Sequence, residues 1–411
     1  MVGNALVDMY AKCGAFEKAG QVLEDLHVQT VVAWNALIAG YILAGKGHEA
    51  LNSFARMQRE GLSPDDVTFT CILTACGSIG AINEGEESEN MIVNRGLLGK
   101  NICLGNALIN MYSKCGVLVK AHKVLEGLPV RNVVSWNTLI EGYAEHEQGH
   151  DALNCYVQMQ KEGISPNEVT FIFILKACGS IGAIDNGKKI HDEIVSGCWL
   201  EKSVVLGTTL VDMYIKCGVL SKAQEILKEL PVRDAILWST LIAGYAQEGQ
   251  GYEALNCFME MQREGFSPDE VSFVCLLSAC AHSGILDEAQ RYYEIMNRRY
   301  GIIPRLEHHT CMVVVFGYSG EFEKAMSVIK TMPSSNDPSA WLALLVACRK
   351  WGNVKLGRLA FDQTIQMEGN LSSAYAIMAN IYAAVGMQED AENIESIRVN
   401  NDVWKSQDDA D

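Results

Sequence analysis

The chain has 411 residues, of which 49% are hydrophobic, and a formal net charge of −17. This length exceeds one ordinary globular core and predicts several domains or a repeat array, while the apolar fraction excludes a disordered chain. No apolar run reaches the roughly 18 residues that cross a bilayer. The acidic charge counts against binding to a polyanion, which normally uses a basic face, unless the charges are segregated on different surfaces.

The N-terminus begins within a helical pattern and shows neither a signal peptide nor an Arg/Ser-rich transit peptide. We therefore expect a fragment of a longer protein whose targeting signal is missing. The 14 cysteines are spread along the chain without a signal peptide, which favours a reducing compartment over a secreted disulfide scaffold.

The sequence repeats itself with a period of 102 residues. The segment GNALVDMYAKCG and its near-copies begin at Gly3, Gly105 and Gly207. The segment WNALIAGY and its near-copies begin at Trp34, Trp136 and Trp238. Each 102-residue copy divides into repeats of 31, 35 and 36 residues, because equivalent positions are held in turn by Tyr10, Tyr41, Cys76 and Tyr112.

Each repeat predicts two amphipathic helices. In the 35-residue repeat, apolar residues from Trp34 to Tyr41 recur at i, i+3, i+4 and i+7, which places them on one helical face. A second stripe runs from Leu51 to Met57 and ends before Pro64, and all eight prolines fall at such boundaries. Two short helices cannot bury their apolar faces alone, so neighbouring repeats must stack. We predict an all-α, right-handed superhelical solenoid of about 12 helix-turn-helix repeats.

These segments resemble the pentatricopeptide repeat family, and in particular its PLS subclass, in which motifs called P, L and S alternate. We name the 31-, 35- and 36-residue repeats S-, P- and L-type after the motifs that they resemble. Residues 1–305 resemble three S-P-L copies, and residues 306–337 resemble a final S motif. PSAWLALLVACRKWGNVKLG and AYAIMANIYAAVGMQEDAENI resemble the family's E motifs, which predicts an E-type region over 338–400 and an acidic tail over 401–411.

The resemblance implies binding to single-stranded RNA in a mitochondrion or chloroplast, at one nucleotide per repeat. PLS members with E motifs usually select cytidines for C-to-U editing, and many carry a deaminase-like domain that these residues do not resemble. We therefore expect a plant site-recognition factor and not an enzyme, with no cofactor, metal or membrane association. It would recruit a deaminase or another editing cofactor in trans through its E motifs.

Two other functions remain open. An RNA stability or processing factor would bind RNA without recruiting a deaminase. A protein-interaction scaffold of the tetratricopeptide kind also stacks helix pairs, but with a uniform period of about 34 residues. The alternating lengths favour RNA binding, whereas the acidic charge favours the scaffold.

In the family, the fifth and last residues of a motif together choose the base. The P-type pairs carried over are Asn35 with Asp65, Asn137 with Asn167, and Ser239 with Asp269. The S-type pairs are Asn4 with Thr30, Asn106 with Asn132, and Thr208 with Asp234. The resemblance implies uracil for Asn/Asp, a pyrimidine for Asn/Asn, and guanine for Ser or Thr with Asp. These residue types are also good helix N-caps, but their variation within a constant scaffold favours base reading.

The L-type pairs follow the code less well. Ile172 with Ser203 and Val274 with Arg305 depart from it, so no base is assigned to either. Apolar residues near the motif starts are implied to sandwich the base, and these are Val32, Val134 and Ile236. Lysines recur at the ends of the first S-type helices, where they contact phosphate or compensate the helix dipole; they are Lys12, Lys114 and Lys216.

Other reactive residues do not predict a catalytic or metal site. His191-Asp192-Glu193 matches the start of a zinc deaminase motif, but that site also needs a C-x-x-C, which is absent from the sequence. Cysteines at equivalent positions in the copies predict core packing, including Cys13, Cys115 and Cys217. His308-His309 is interpreted as the start of a motif.

Overall fold

The computed structural model describes residues 2–26, 28–99, 101–230, 233–332, 337–368 and 371–408, with side chains up to residue 399. These ranges contain 24 α-helices and no strand. Successive helices form pairs joined by short turns, which confirms the predicted all-α fold of about 12 helical repeats. Within the described ranges, no helix combines the length and apolarity needed to cross a membrane.

The first copy comprises α1 (Val2–Lys12), α2 (Phe16–Asp25), α3 (Val31–Leu43), α4 (Gly47–Arg59), α5 (Asp66–Ile79) and α6 (Ile82–Asn94). The second comprises α7 (Ile102–Lys114), α8 (Leu118–Gly127), α9 (Val133–Glu145), α10 (Gly149–Lys161), α11 (Glu168–Ile181) and α12 (Ile184–Ser196). The third comprises α13 (Val204–Lys216), α14 (Leu220–Glu229), α15 (Ala235–Gln247), α16 (Gly251–Arg263), α17 (Glu270–Ser283) and α18 (Leu286–Tyr300). Six more follow: α19 (Leu306–Tyr318), α20 (Phe322–Thr331), α21 (Ser339–Trp351), α22 (Val354–Met367), α23 (Ser372–Ala384) and α24 (Gln388–Asp408).

The chain forms two compact units, residues 1–217 and 218–411. In the first unit the first helices of successive repeats pack against one another, from α1 on α3 through to α11 on α13. In the second unit the same arrangement runs from α15 on α17 through to α21 on α23. The second helices pack beside them, so each unit has a continuous core along its stack.

The predicted apolar stripes form this core. Trp34, Leu37 and Ile38 are buried and Tyr41 is half-buried, as the helical periodicity predicts. The equivalent tryptophans, Trp136 and Trp238, are also fully buried. The prolines of the described ranges lie outside helix interiors, while Pro231 and Pro333 fall outside those ranges.

A glycine begins the second helix of every P-type repeat, and it lets that helix approach the following L-type repeat. A Cβ on Gly149 would lie 2.8 Å from the carbonyl oxygen of Ala177 and 2.7 Å from Ile181 Cγ2. Gly251 faces Ala279 in the same way, at 2.9 Å. A backbone carbonyl has no rotamer by which to move away, so Gly149 and Gly251 cannot be replaced without a shift. A Cβ on Gly47 would instead overlap the Ile79 side chain, at 2.5 Å from Cγ2.

The prediction that cysteines pack in the core is correct for the buried positions, correct in part for Cys115 and Cys217, and wrong for Cys13. Cys76, Cys155, Cys178, Cys257, Cys280 and Cys348 are buried packing residues. Burial raises the pKa of the Cys76 and Cys178 thiols to about 12, which keeps them protonated. Cys115 and Cys217 are half-buried against carbonyl groups of the preceding L-type helix, but Cys13 is exposed because no described residue covers it.

Candidate nucleic-acid interface

In the three copies, the last residue of each P- and S-type repeat caps the next helix. Its side-chain oxygen accepts the backbone N–H three residues on, at distances from 2.8 to 3.3 Å. The six caps are Thr30, Asp65, Asn132, Asn167, Asp234 and Asp269. The capping interpretation is therefore correct for these residues, and each cap contributes about 1 kcal/mol. Capping uses only part of their hydrogen-bonding capacity, so it leaves a second role open.

The fifth residues lie one turn into the first helices, and in P-type repeats they meet the last residue. Asn35 Nδ2 donates to Asp65 Oδ1 at 2.9 Å, and Asn137 Nδ2 donates to Asn167 Oδ1 at 3.0 Å. Each pair is 30 residues apart in sequence and meets because the next repeat begins beside the first helix. Ser239 differs, because its hydroxyl lies 2.7 Å from Ser272 Oγ and also donates to its own helix. We call the fifth and last residues of the P- and S-type repeats the reading edge.

The S-type part of the reading edge is less uniform. Asn4 Nδ2 donates to Thr30 Oγ1 at 3.1 Å. Asn106 Oδ1 is buried and accepts no hydrogen bond from any described residue. Thr208 and Asp234 belong to different units. Thr208 donates to the carbonyl of Val204, and Asp234 caps α15.

Asp65 remains a carboxylate at the reading edge. Burial raises its pKa, but hydrogen bonds from the Thr68 N–H, the Asn35 amide and the Thr68 hydroxyl outweigh burial and lower it overall. An ionised Asp65 accepts hydrogen bonds only, which obliges Asn35 to present its donor end.

An exposed apolar row accompanies the reading edge at the second position of the first helices. Val32, Val134 and Ile236, predicted to stack on bases, are 60%, 52% and 64% exposed. Further exposed valines, which were not predicted, occupy the same position, namely Val67, Val169, Val205 and Val271. One exposed valine is ordinary, but a periodic row on one helix end indicates a contact surface. Counting from the cap residue of every first helix would have found them.

The three recurring lysines differ in their surroundings. Lys12 and Lys216 each form an ion pair with the aspartate four residues before, Asp8 and Asp212, at 2.8 Å. Lys114 has Asn110 at that position, and no ion pair to it occurs among the described residues. Its charge instead acts on Glu141, whose pKa is raised by burial and lowered in part by Lys114.

The last residues of the L-type repeats make a different contact, which the sequence analysis missed. Asn101 Nδ2 donates to Asp66 Oδ2 at 2.8 Å, and Arg305 pairs with Glu270 at 2.8 Å. Ser203 Oγ donates to Glu168 in the same register. Each acid is the first residue of the L-type helix, a recurrence that the sequence alone displays. These last residues are bound to an acid and do not meet a fifth residue, which for Ser203 and Arg305 accords with their departure from the base-reading code.

The remaining reactive side chains have structural partners. His191 bonds the Tyr214 hydroxyl at 3.0 Å, and Glu193 accepts from Tyr156 at 2.7 Å. No cluster of three or more His, Cys, Asp or Glu side chains suited to a metal occurs in the described ranges. His308 and His309 are buried, and burial lowers both pKa values. His308 Nδ1 accepts the Arg305 N–H, so His308 helps to start α19 as the motif interpretation expects.

Comparison with known proteins identifies the repeats. The PPR repeat family model matches residues 29–78, 131–180 and 233–282. The PPR repeat model matches residues 4–29, 106–133, 208–234, 271–300 and 307–337. The subdivision into S, P, L and E motifs, and the domain boundaries drawn from it, stay predictions.

Related proteins and a solved structure support the same family assignment. A pentatricopeptide repeat-containing protein of Arabidopsis thaliana is 36% identical over 398 residues, which are 96% of this chain and 48% of the relative. A mitochondrial one from the same plant is 37% identical over 388 residues, 94% of this chain and 69% of the relative. The pentatricopeptide repeat protein PPR10, in complex with an 18-nt psaJ RNA element, shares the fold with a TM-score of 0.77 at 18% identity, over 97% of this chain and 60% of PPR10. The chain thus spans only part of the length of these proteins, and it belongs to the pentatricopeptide repeat family.

Proposed function

We propose that this chain binds single-stranded RNA and selects its sequence through the reading edge. The observation that carries the proposal is the pairing of fifth and last residues, Asn35 with Asp65 and Asn137 with Asn167, in successive copies. RNA-binding repeat proteins read each unstacked base with two or three side chains. The exposed valine row beside the edge offers apolar contact to base faces. The RNA-bound state of PPR10, which has the same fold, also supports the proposal.

Charge segregation reconciles RNA binding with the acidic composition. The strongly acidic helix α6 carries Glu84, Glu86, Glu87 and Glu89, and it is a second helix. The reading edge lies on the first helices, where Lys114 and Lys176 both act on Glu141. Net charge does not fix the local field, so lysines on the first helices can attract phosphate even though the net charge is −17.

The test is selection from a randomised single-stranded RNA pool at two salt concentrations, with the wild type and Asn137→Ser. We expect an enriched motif whose preference changes at one position in the variant. Binding that disappears at moderate salt and is unchanged in the variant would refute base reading. That result would favour the protein-interaction scaffold.

We further propose that the protein selects sites for C-to-U editing in a mitochondrion or chloroplast, while a separate deaminase performs the reaction. The resemblance of residues 338–400 to E motifs supports this role, and the mitochondrial relatives support the location. A groove between α23 and α24, lined by Ala376, Ala379 and Ala383, is a surface on which a partner could dock.

Editing in an organelle extract, measured with Ala379→Arg, tests that role. We expect loss of editing with unchanged RNA binding. Ala384→Arg is the control, because Ala384 is exposed on the same helix outside the groove. Equal editing by both variants would favour an RNA stability or processing factor.

A further inference from the structure

A hydroxyl group from the following helix holds the fifth residue of P-type repeats, and the base-reading code does not include it. The single hydroxyl proton of Thr68 lies between Asn35 Oδ1 at 2.7 Å and Asp65 Oδ1 at 2.8 Å, and that of Thr170 lies between Asn137 Oδ1 at 2.7 Å and Asn167 Oδ1 at 3.0 Å. In both repeats the shorter contact is the one to the fifth residue. Thr68 and Thr170 are completely buried. Water therefore cannot compete for these bonds, which makes them stronger than exposed ones.

The orientation of the Asn137 amide can be assigned from a backbone N–H group, which can only donate a hydrogen bond. The backbone N–H of Thr170 donates to an Asn167 side-chain atom at 3.0 Å, which identifies that atom as the oxygen. The same oxygen lies 3.0 Å from Asn137, so the Asn137 NH2 group must face it. Asn137 Oδ1 then faces the Thr170 hydroxyl. Both ends of the amide are held, and it presents one fixed pattern of donor and acceptor.

An S-type repeat carries the same two code residues without this restraint. Asn106 and Asn132 repeat the Asn/Asn combination, with Ser135 where Thr170 stands. The Ser135 hydroxyl donates to Asn132 at 3.2 Å, and no bond from Asn132 or Ser135 to Asn106 occurs among the described residues. Asn106 Oδ1 is left without a donor. Identical code residues therefore occur once with the amide oxygen of the fifth residue hydrogen-bonded and once with it unbonded.

We propose that the hydroxyl at the third position of the following helix, in Thr68, Thr170 and Ser272, is a positioning residue that sets how strictly a P-type repeat discriminates between bases. The inference rests on the proposed function. On its Watson–Crick edge, uracil has a donor and an acceptor at the positions where cytosine has an acceptor and a donor. An amide that can flip by 180° exchanges its own donor and acceptor and can therefore bind either base. The held Asn137 amide favours one pyrimidine, whereas Asn106 accepts both.

The experiment measures dissociation constants of the full chain for RNAs that differ only by U or C at one nucleotide. The Asn137→Ser selection identifies the nucleotide that faces Asn137, and its neighbour faces Asn106. We expect a clear U-to-C ratio at the first and a ratio near one at the second. Thr170→Val should bring the Asn137 ratio about fivefold closer to one, the value of a single hydrogen bond. Thr170→Ser retains the hydroxyl and should preserve the ratio.

Ser135→Ala is the matched control. This substitution removes the equivalent capping-box hydroxyl and should cost a similar amount of thermal stability. Unlike Thr170, however, Ser135 contacts no fifth residue. We expect it to change neither ratio. An unchanged ratio in folded Thr170→Val, or an equal change in Ser135→Ala, would overturn the inference.

The wild type also tests the inference if Thr170→Val does not fold. Equal U-to-C ratios at both nucleotides, with base preference present elsewhere in the motif, would refute the positioning role alone. Absence of any base preference would refute the proposed function and this inference together.

Discussion

In the P-type repeats, the glycine at the junction with the following L-type repeat is constant, whereas the reading edge changes from copy to copy. At the junction, the second helix begins with Gly47, Gly149 or Gly251, and this residue is the same in all three copies. At the reading edge, the fifth residue changes from asparagine in Asn137 to serine in Ser239. A close-packed junction has no spare volume, whereas a cap needs only one side-chain oxygen. The repeat can therefore change its edge chemistry without changing its scaffold.

The largest expected effect tests the junction. Gly149→Ala should lower the free energy of unfolding by about 1–3 kcal/mol, because its Cβ overlaps the Ala177 carbonyl. Gly20→Ala is the control: Gly20 lies inside α2 with no atom within 4 Å of an added Cβ. That substitution should stabilise the protein by up to about 1 kcal/mol through helix propensity. Urea denaturation measures both, and equal effects would contradict the packing argument.

The next effect tests the reading edge. Asn137→Ser should change base preference at one nucleotide by about tenfold, since one good amide-to-base pair is worth that much, with little loss of stability. Thr138→Ala, at the half-buried neighbouring residue, is the control and should leave the preference unchanged. Competition binding with single-nucleotide RNA variants gives the measurement. A preference that follows Thr138 and not Asn137 would place the edge elsewhere.

A smaller effect concerns phosphate binding at the C-terminal end of α7, where Lys114 lies. Lys114→Ala should weaken RNA binding by about two- to threefold for every sequence and reduce the salt slope by about 0.7. Lys12→Ala should have less effect, because Asp8 already pairs with that ammonium group at 2.8 Å. Titrations at several salt concentrations distinguish them. Equal losses would show that the local ion pair does not matter.

The smallest effect is a pH dependence at the start of the final S-type repeat. There His308 occupies the third position, and burial, with a further contribution from Arg305, lowers its pKa below the ordinary 6.5. The folded state holds the neutral form, so its stability contribution is present above pH 6.5 and is lost as pH falls through the lowered pKa. Urea midpoints at pH 7.5 and 5.5 should fall less for His308→Ser than for the wild type. An identical pH dependence would exclude His308 as the cause.

Local features of this protein could be predicted from its sequence. The helix pairs, the buried Trp34 stripe and the proline boundaries follow from helical periodicity and from backbone chemistry that each segment carries by itself. The capping role of residues such as Asp65 was also predictable, because a cap involves neighbours only three residues apart. Because the sequence repeats every 102 residues, each of these local patterns occurs three times.

Only the tertiary structure decided which edge residues meet. Asn137 reaches Asn167 and Thr170 because two helices from different repeats lie side by side, and this proximity has no local signature. Asn106 and Asn132 form the same pair of code residues, yet the Asn106 amide oxygen has no hydrogen bond from any described residue. The L-type residue Asn101 likewise contacts Asp66 across 35 positions. Residue identity is encoded locally, but the orientation of a side chain at a junction depends on how neighbouring helices pack.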